Sequence, residues 1–185
     1  MALARGQAEE CMRLFREIPV IDPLNADTYL ELSIPLLRLG RFADAAEEAR
    51  RGLAITPTYV SGHLYLGEAL LADGKLVEAR RTIDLERPEG GPQAGLAMVH
   101  FALGRKRESA AALARFVQDH GSDSAFNVAE AYAYVDNKDR ALEWLERAYR
   151  QKDAGVRYLK GDWFMRGLEP DPGFRAVLQR MNLPD

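Results

Sequence analysis

The chain has 185 residues, of which 47% are hydrophobic and 29% charged, and its net charge is -3. The single cysteine excludes an internal disulfide, and one cysteine with three scattered histidines cannot form a cysteine-rich zinc site. The sequence contains no apolar run of the roughly 18 residues that a membrane-spanning helix needs. Its slightly negative net charge does not indicate the positively charged surface that binds nucleic acid. Composition therefore predicts an intracellular, cytoplasmic protein without a membrane or nucleic-acid partner.

A short pattern recurs along the chain, with a turn residue followed five positions later by a small residue. Gly6, Gly40 and Gly74 begin three copies that are 34 residues apart (40 − 6 and 74 − 40). Gly104 and Asp136 begin two looser copies, at spacings of 30 and 32 residues (104 − 74 and 136 − 104). A period of this length predicts an array of repeats, in which hydrophobic residues lie between neighbouring helices.

Each unit is predicted to be two antiparallel helices joined by a tight turn. Apolar residues recur at helical spacing on both sides of Gly40, with Tyr29, Leu32, Leu36 and Leu37 before it and Phe42, Ala45, Ala49 and Leu53 after it. Gly40 suits the left-handed conformation that ends a helix, and Pro57 ends the second helix. The turn-rich stretch 87–92 predicts a shortened or distorted connection between two units.

A helix pair with turn and small residues at this spacing resembles the tetratricopeptide repeat. In the first complete copy, the family's characteristic positions hold Tyr29, Leu32, Leu36, Gly40, Phe42, Ala45, Ala49, Gly52 and Pro57. In the second copy they hold His63, Leu66, Gly67, Leu70, Gly74, Leu76, Ala79 and Ile83. The resemblance implies an all-α protein, an α-solenoid of antiparallel helix pairs with about four and a half repeats and a C-terminal capping helix.

The resemblance also implies one domain with internal boundaries. The solenoid is expected over 1–155, with a half repeat at 4–25, full repeats at about 26–59, 60–90, 91–121 and 122–155, and a capping tail at 156–185. The half repeat begins at its turn, without the preceding helix. This favours a part of a longer protein, although an unusual first cap or an edge covered by self-association would also explain it.

The tail carries a resemblance of its own. Its segments 158–162, 168–174 and 178–184 are similar to the ends of tetratricopeptide arrays in bacterial cyclase, TolB-like winged-helix and Ser/Thr-kinase signalling proteins. Asp171 and Pro172 predict the start of a helix. The apolar stripe Phe174, Val177, Leu178 and Met181 predicts that this helix seals the last repeat.

Tetratricopeptide arrays bind partners on the concave face, which the first helix of each repeat lines. The family's groove positions correspond here to Leu30, Ile34, Leu37, Leu64, Glu68, Leu71, Met98, Phe101, Phe126, Glu130 and Tyr134. This mostly apolar set lacks the cationic and amide residues that hold a terminal carboxylate in chaperone-binding relatives. The resemblance therefore implies an apolar peptide or amphipathic helix as ligand. Filling of the groove by the chain's own tail, around residues 163–165, or by a second copy is an equal alternative.

No nucleophile–base pair, metal-ligand set or cofactor loop is recognisable in the sequence. Cys11 lies at a small-residue packing position and is predicted to be an inert buried thiol. The leading hypothesis is a non-catalytic scaffold or regulatory module of the bacterial cytoplasm, with a protein or peptide partner and no cofactor. The alternatives are a self-associating, homo-oligomeric assembly module and a C-terminal regulatory part of a bacterial signalling protein.

Overall fold

The computed structural model describes residues 24–180, so the half repeat expected over 4–25, with Cys11, lies almost wholly outside the described residues. Within residues 24–180 the chain forms nine α-helices, three short 3-10 helices and no strand. The α-helices are α1 (Ala26–Arg38), α2 (Phe42–Ile55), α3 (Gly62–Ala72), α4 (Leu76–Ile83), α5 (Pro92–Ala102), α6 (Lys106–His120), α7 (Ala125–Tyr134), α8 (Lys138–Gln151) and α9 (Pro172–Arg180). None of the helices in this part of the chain is long and apolar enough to cross a membrane.

The helices pack as consecutive pairs, which confirms the predicted α-solenoid. Each helix packs most extensively on its neighbours in sequence, and α1, α3, α5 and α7 also contact one another in series. Small residues at the predicted close-packing positions are buried, namely Ala45, Ala79, Ser109 and Ala141. The Ser109 hydroxyl donates a hydrogen bond of 2.8 Å to the carbonyl of Ala97, so a polar residue is accommodated where alanine is usual.

The tight turns within the repeats lie at the turn residues that the sequence predicts. Gly40 has φ +74°, and the N–H of Arg41 donates to the carbonyl of Leu36 at 2.9 Å. This geometry closes the C-terminus of α1. Asp136 takes the same left-handed conformation (φ +61°) at the end of α7, where the last repeat has no glycine. The turn-rich stretch forms a 3-10 helix, Pro88–Gly90, as the predicted distorted connection.

In two repeats, a carboxylate that follows the second helix in sequence caps the N-terminus of the first helix. The Glu86 carboxylate accepts hydrogen bonds from the backbone N–H groups of His63 (2.9 Å) and Leu64 (3.1 Å) at the start of α3. Asp153 likewise accepts from the N–H of Phe126 at 3.0 Å, in the first turn of α7. A carboxylate at this position satisfies free N–H groups and the positive end of the helix dipole.

Replacing Glu86 with alanine should lower the free energy of unfolding by about 1–3 kcal/mol, because buried N–H groups at the start of α3 lose a charged acceptor. Urea unfolding followed by circular dichroism measures the change. Glu89→Ala, at an exposed position in the same connection, is the matched control and should change stability by less than about 0.5 kcal/mol. Equal effects of the two substitutions would contradict the capping role.

The segment after α8 forms two 3-10 helices, Ala154–Tyr158 and Arg166–Leu168, before α9. Helix α9 begins as predicted, because the Asp171 carboxylate accepts from the N–H of Gly173 at 2.7 Å. Its apolar side is buried at Phe174, Val177 and Leu178. Arg180 pairs with Glu146 of α8, so α9 covers the last helix pair.

Candidate functional site

The predicted groove positions differ in how accessible they are. Those that are buried are Leu30, Leu37, Leu64, Leu71, Met98, Phe126 and Glu130, and those that are partly exposed are Ile34, Glu68, Phe101 and Tyr134. Leu30 lies so close to Gly52 of α2 that a methyl group there would meet it, and Leu64 lies equally close to Gly95 of α5. Several positions expected to face a ligand therefore fill the space between helices.

Residues 158–165, here called the tail segment, lie against the first helices of the repeats. The ring of Trp163 lies 5.3 Å from that of Phe42 and 6.1 Å from that of Tyr134. Phe164 packs edge-on against Tyr134 at 5.6 Å and belongs to the buried core of the first two repeats. The tail segment thus joins the first described repeat to the last one through aromatic contacts.

A charge cluster of Arg38, Glu68, Glu130 and Asp162 lies where the tail segment meets the helices. The side chain of Asp162 is 1% exposed and that of Arg38 15% exposed, and the two form an ion pair through Nη1 and Oδ2. The same Nη1 donates to the backbone carbonyl of Tyr158 at 3.0 Å, and the guanidinium lies 4.6 Å from the centre of the Tyr158 ring. The repeats supply the cation, and the tail segment supplies its principal anion.

Asp162 also organises the backbone that follows it. Its Oδ1 accepts hydrogen bonds from the N–H groups of Phe164 (2.9 Å) and Met165 (3.2 Å). The preceding Gly161 has φ +84°, a conformation that favours glycine. One carboxylate oxygen therefore holds the turn that directs Trp163 and Phe164 onto the helices, while the other contacts Arg38.

The cluster contains more carboxyl groups than its single guanidinium can balance. Burial raises the pKa of Glu68 to about 8, with repulsion from Asp162 adding to it and Arg38 opposing it. Burial, followed by repulsion from Asp162 and Glu68, raises the pKa of Glu130 well above its usual range. Burial alone would lower the pKa of Arg38, but the nearby carboxyl groups outweigh it, so this pKa is raised. The ion pair of Arg38 and Asp162 therefore lies beside two carboxyl groups whose protonated form is favoured.

A cavity of about 160 Å³ lies beside the tail segment. The predicted groove residues that line it are Ile34, Leu37, Glu68, Phe126 and Glu130. The other predicted positions do not line it, namely Leu30, Leu64, Leu71, Met98, Phe101 and Tyr134. Its wall is completed by Arg38, Tyr65, Asn127, Gly155 and the tail residues Tyr158, Asp162, Trp163 and Phe164. The cavity therefore combines aromatic side chains with the charged groups of the cluster.

Of the apolar residues that line the cavity, sequence reasoning predicted Ile34, Leu37 and Phe126, but it did not predict Arg38, Tyr65 and Asp162. Arg38 lies in the last turn of α1, where a basic residue is ordinary, so nothing local distinguishes it. Its partner Asp162 is 124 residues away in sequence. The one local signal is the order Gly161-Asp162 before two aromatic residues, which is typical of a turn held by an aspartate side chain.

The described residues contain no group of three or more histidine, cysteine, aspartate or glutamate side chains placed to hold a metal ion. The carboxyl groups of the charge cluster are directed to Arg38, to one another and to backbone N–H groups. The site presents the guanidinium of Arg38 beside an aromatic surface.

Comparison with solved structures finds the same fold in other proteins. The structure of TTC0263, a thermophilic TPR protein of Thermus thermophilus, is 24% identical, covers 82% of this chain and 88% of that chain, and has a TM-score of 0.64. MamA is 19% identical over 83% of this chain and 94% of its own, with a TM-score of 0.53. YrrB, described as a TPR protein with an unusual peptide-binding site, is 17% identical over 91% and 98%, with a TM-score of 0.50.

Among curated protein sequences, none matches this chain significantly. The family model of the tetratricopeptide repeat, in contrast, matches residues 30–94 and 95–156. These two matches cover all four helix pairs from Leu30 onward and stop within the first 3-10 helix of the tail. The chain belongs to the tetratricopeptide repeat family.

Proposed function

We propose that this chain is a protein-interaction module that binds a peptide segment of a partner protein along its concave face. Tetratricopeptide proteins generally act as scaffolds for protein–protein interaction. The observation that supports the role here is that the face already holds a non-helical segment of the chain's own tail, bound through side chains of both the first and the last described repeat. A surface that accepts one peptide segment is suited to accept another of similar chemistry.

The accessible part of the face is consistent with an apolar peptide. Ile34, Phe101 and Tyr134 are partly exposed beside the tail segment, and the cavity extends the apolar surface toward Tyr65. YrrB, a protein of the same fold, has an unusual peptide-binding site, which agrees with this role.

Selection of random twelve-residue peptides displayed on phage against the full chain tests the proposal. We expect enrichment of apolar and aromatic peptides that bind with at least tenfold lower affinity after Ile34→Glu, because a carboxylate would be placed in the apolar surface. Val77→Glu on α4 is the matched control, since Val77 is 60% exposed. Circular dichroism of both variants checks that helicity is retained.

Two outcomes would contradict the proposal. The first is a selection that enriches no peptide. The second is a set of peptides that bind Ile34→Glu and the wild-type chain equally well, since the binding surface would then lie elsewhere.

Self-association is the second candidate, and three exposed apolar side chains favour it. Val60 is 50% exposed, Val77 60% and Leu85 67%. Single exposed apolar residues are common on monomers, so this support is weaker than that for peptide binding. Light scattering at micromolar concentration decides the question, because a monomeric mass contradicts a homo-oligomeric assembly module.

Two further proposals concern the setting of the chain. Its composition favours the bacterial cytoplasm, and the sequence of its tail favours a place in a bacterial signalling protein.

A further inference from the structure

The tail segment is held in the way that a receptor holds a short linear motif. Its anchor is Asp162, whose carboxylate reaches a buried cation of α1 across 124 residues of sequence. The same carboxylate accepts the N–H groups of Phe164 and Met165, so the turn is formed by the motif itself. A peptide with an aspartate at this position carries both its own turn and the anion that Arg38 needs.

The two residues after the anchor contact surfaces that belong to different repeats. Trp163 packs on Phe42 of α2 and on Tyr134 of α7, and Phe164 packs on Tyr134 at nearly right angles. Edge-to-face geometry favours aromatic side chains over aliphatic ones of similar size. The repeats therefore select for an acidic residue followed directly by aromatic residues.

Occupation by the tail segment leaves one donor of this site unused. The Nε of Arg38 is buried without a hydrogen-bond partner, although Nη1 of the same guanidinium pairs with Asp162. An arginine binds a carboxylate best when two of its N–H groups donate in parallel. A ligand from outside can thus make a contact with Arg38 that the tail segment does not make.

From these contacts we propose that the concave face binds a partner segment in which an aspartate is followed directly by aromatic residues, and that the chain's own Asp162-Trp163-Phe164 occupies the same site until such a partner displaces it. The inference rests on the proposed function and adds the chemistry of the ligand and the competition by the tail. Because the tail is tethered, it competes at an effective concentration in the millimolar range, so displacement needs the extra contacts of a partner.

A labelled peptide of residues 157–168 serves as the probe, titrated against full chains by fluorescence anisotropy. The variant Asp162→Ala/Trp163→Ala weakens the tail of the chain and leaves Arg38, Phe42 and Tyr134 unchanged. We expect it to bind the peptide at least about tenfold more tightly than the wild-type chain, since the competing segment is weakened. A peptide carrying the same two substitutions is the matched control and should bind neither chain.

Trp163→Ala alone, which keeps the pair of Arg38 and Asp162, replaces the double variant if the latter loses helicity. The proposal is overturned if the folded variant binds both peptides equally or binds neither. It is also overturned if the variant forms a dimer on size exclusion without binding the peptide, because the occupant is then a second copy. Phage-selected peptides that need Ile34 but lack an acidic residue before an aromatic one would overturn this inference and leave the proposed function intact.

Discussion

Replacing Arg38 with glutamine should lower the free energy of unfolding by roughly 3–5 kcal/mol at pH 7, the effect expected when one partner of a buried ion pair is removed. The carboxylate of Asp162, 1% exposed, would lose the guanidinium with which it pairs while Glu68 and Glu130 remain beside it. Its Oδ1 would still accept hydrogen bonds from the backbone N–H groups of Phe164 and Met165, so the carboxylate stays buried. Urea unfolding followed by circular dichroism gives the difference.

Arg41 provides a matched control three residues along the chain. It pairs with Asp44, but the side chains of this pair are 42% and 47% exposed. Exposed pairs contribute little, so Arg41→Gln should change the free energy of unfolding by less than about 0.5 kcal/mol. If Arg38→Gln and Arg41→Gln have equal effects, the buried pair does not hold the tail segment.

The same substitution should also make unfolding less cooperative. In a repeat array each unit contacts only its neighbours, so distant repeats unfold partly independently. The tail segment changes this, because Asp162 and Trp163 connect α1 and α2 of the first described repeat with α7 of the last. We therefore expect a shallower urea transition for Arg38→Gln, with a smaller denaturant dependence of the free energy of unfolding.

The sequence predicts the repeats because their signals are local. Each turn residue from Gly40 to Asp136 lies at the end of a first helix, and each small residue lies buried five positions later. These features depend on neighbours within one helix pair, so periodicity is enough to find them. The start of α9 at Pro172 follows from a local capping signal in the same way.

The site is harder to predict, because its contacts join residues that no period relates. Family positions select one side of each first helix, but they cannot tell how deeply each side chain lies. Leu30 and Met98 are buried between helices, whereas Ile34 and Glu68 reach the cavity. The pair of Arg38 and Asp162 depends on the path of an aperiodic tail, for which self-filling and partner binding were equal alternatives on sequence grounds.

Raising the pH from 5.5 to 8.5 should lower the stability of the protein through the charge cluster. In the unfolded chain Glu68 ionises near pH 4.3, whereas in the folded protein its pKa is raised to about 8, first by burial and then by Asp162. A raised pKa means that the folded state binds the proton more tightly. The stabilising contribution is therefore complete below the unfolded pKa and is lost as the pH rises through about 8, and Glu130, whose pKa is also raised, acts in the same direction.

The variant Glu68→Gln isolates this contribution, because glutamine resembles the protonated carboxyl group at every pH. We expect the free energy of unfolding of the variant to exceed that of the wild type by more at pH 8.5 than at pH 5.5. The gap should widen by more than about 1 kcal/mol between these two pH values, since each unit of pKa shift corresponds to roughly 1.4 kcal/mol. Titrating groups outside the charge cluster, such as His100 with its lowered pKa, affect both proteins alike and cancel in the difference. Glu130 does not cancel, because Glu68 helps to raise its pKa. Glu78→Gln, whose carboxylate is 52% exposed and pairs with Arg50, should show no such pH dependence. A pH-independent difference between Glu68→Gln and the wild type would mean that Glu68 is ionised in the folded protein, and that Arg38 balances more than one carboxylate.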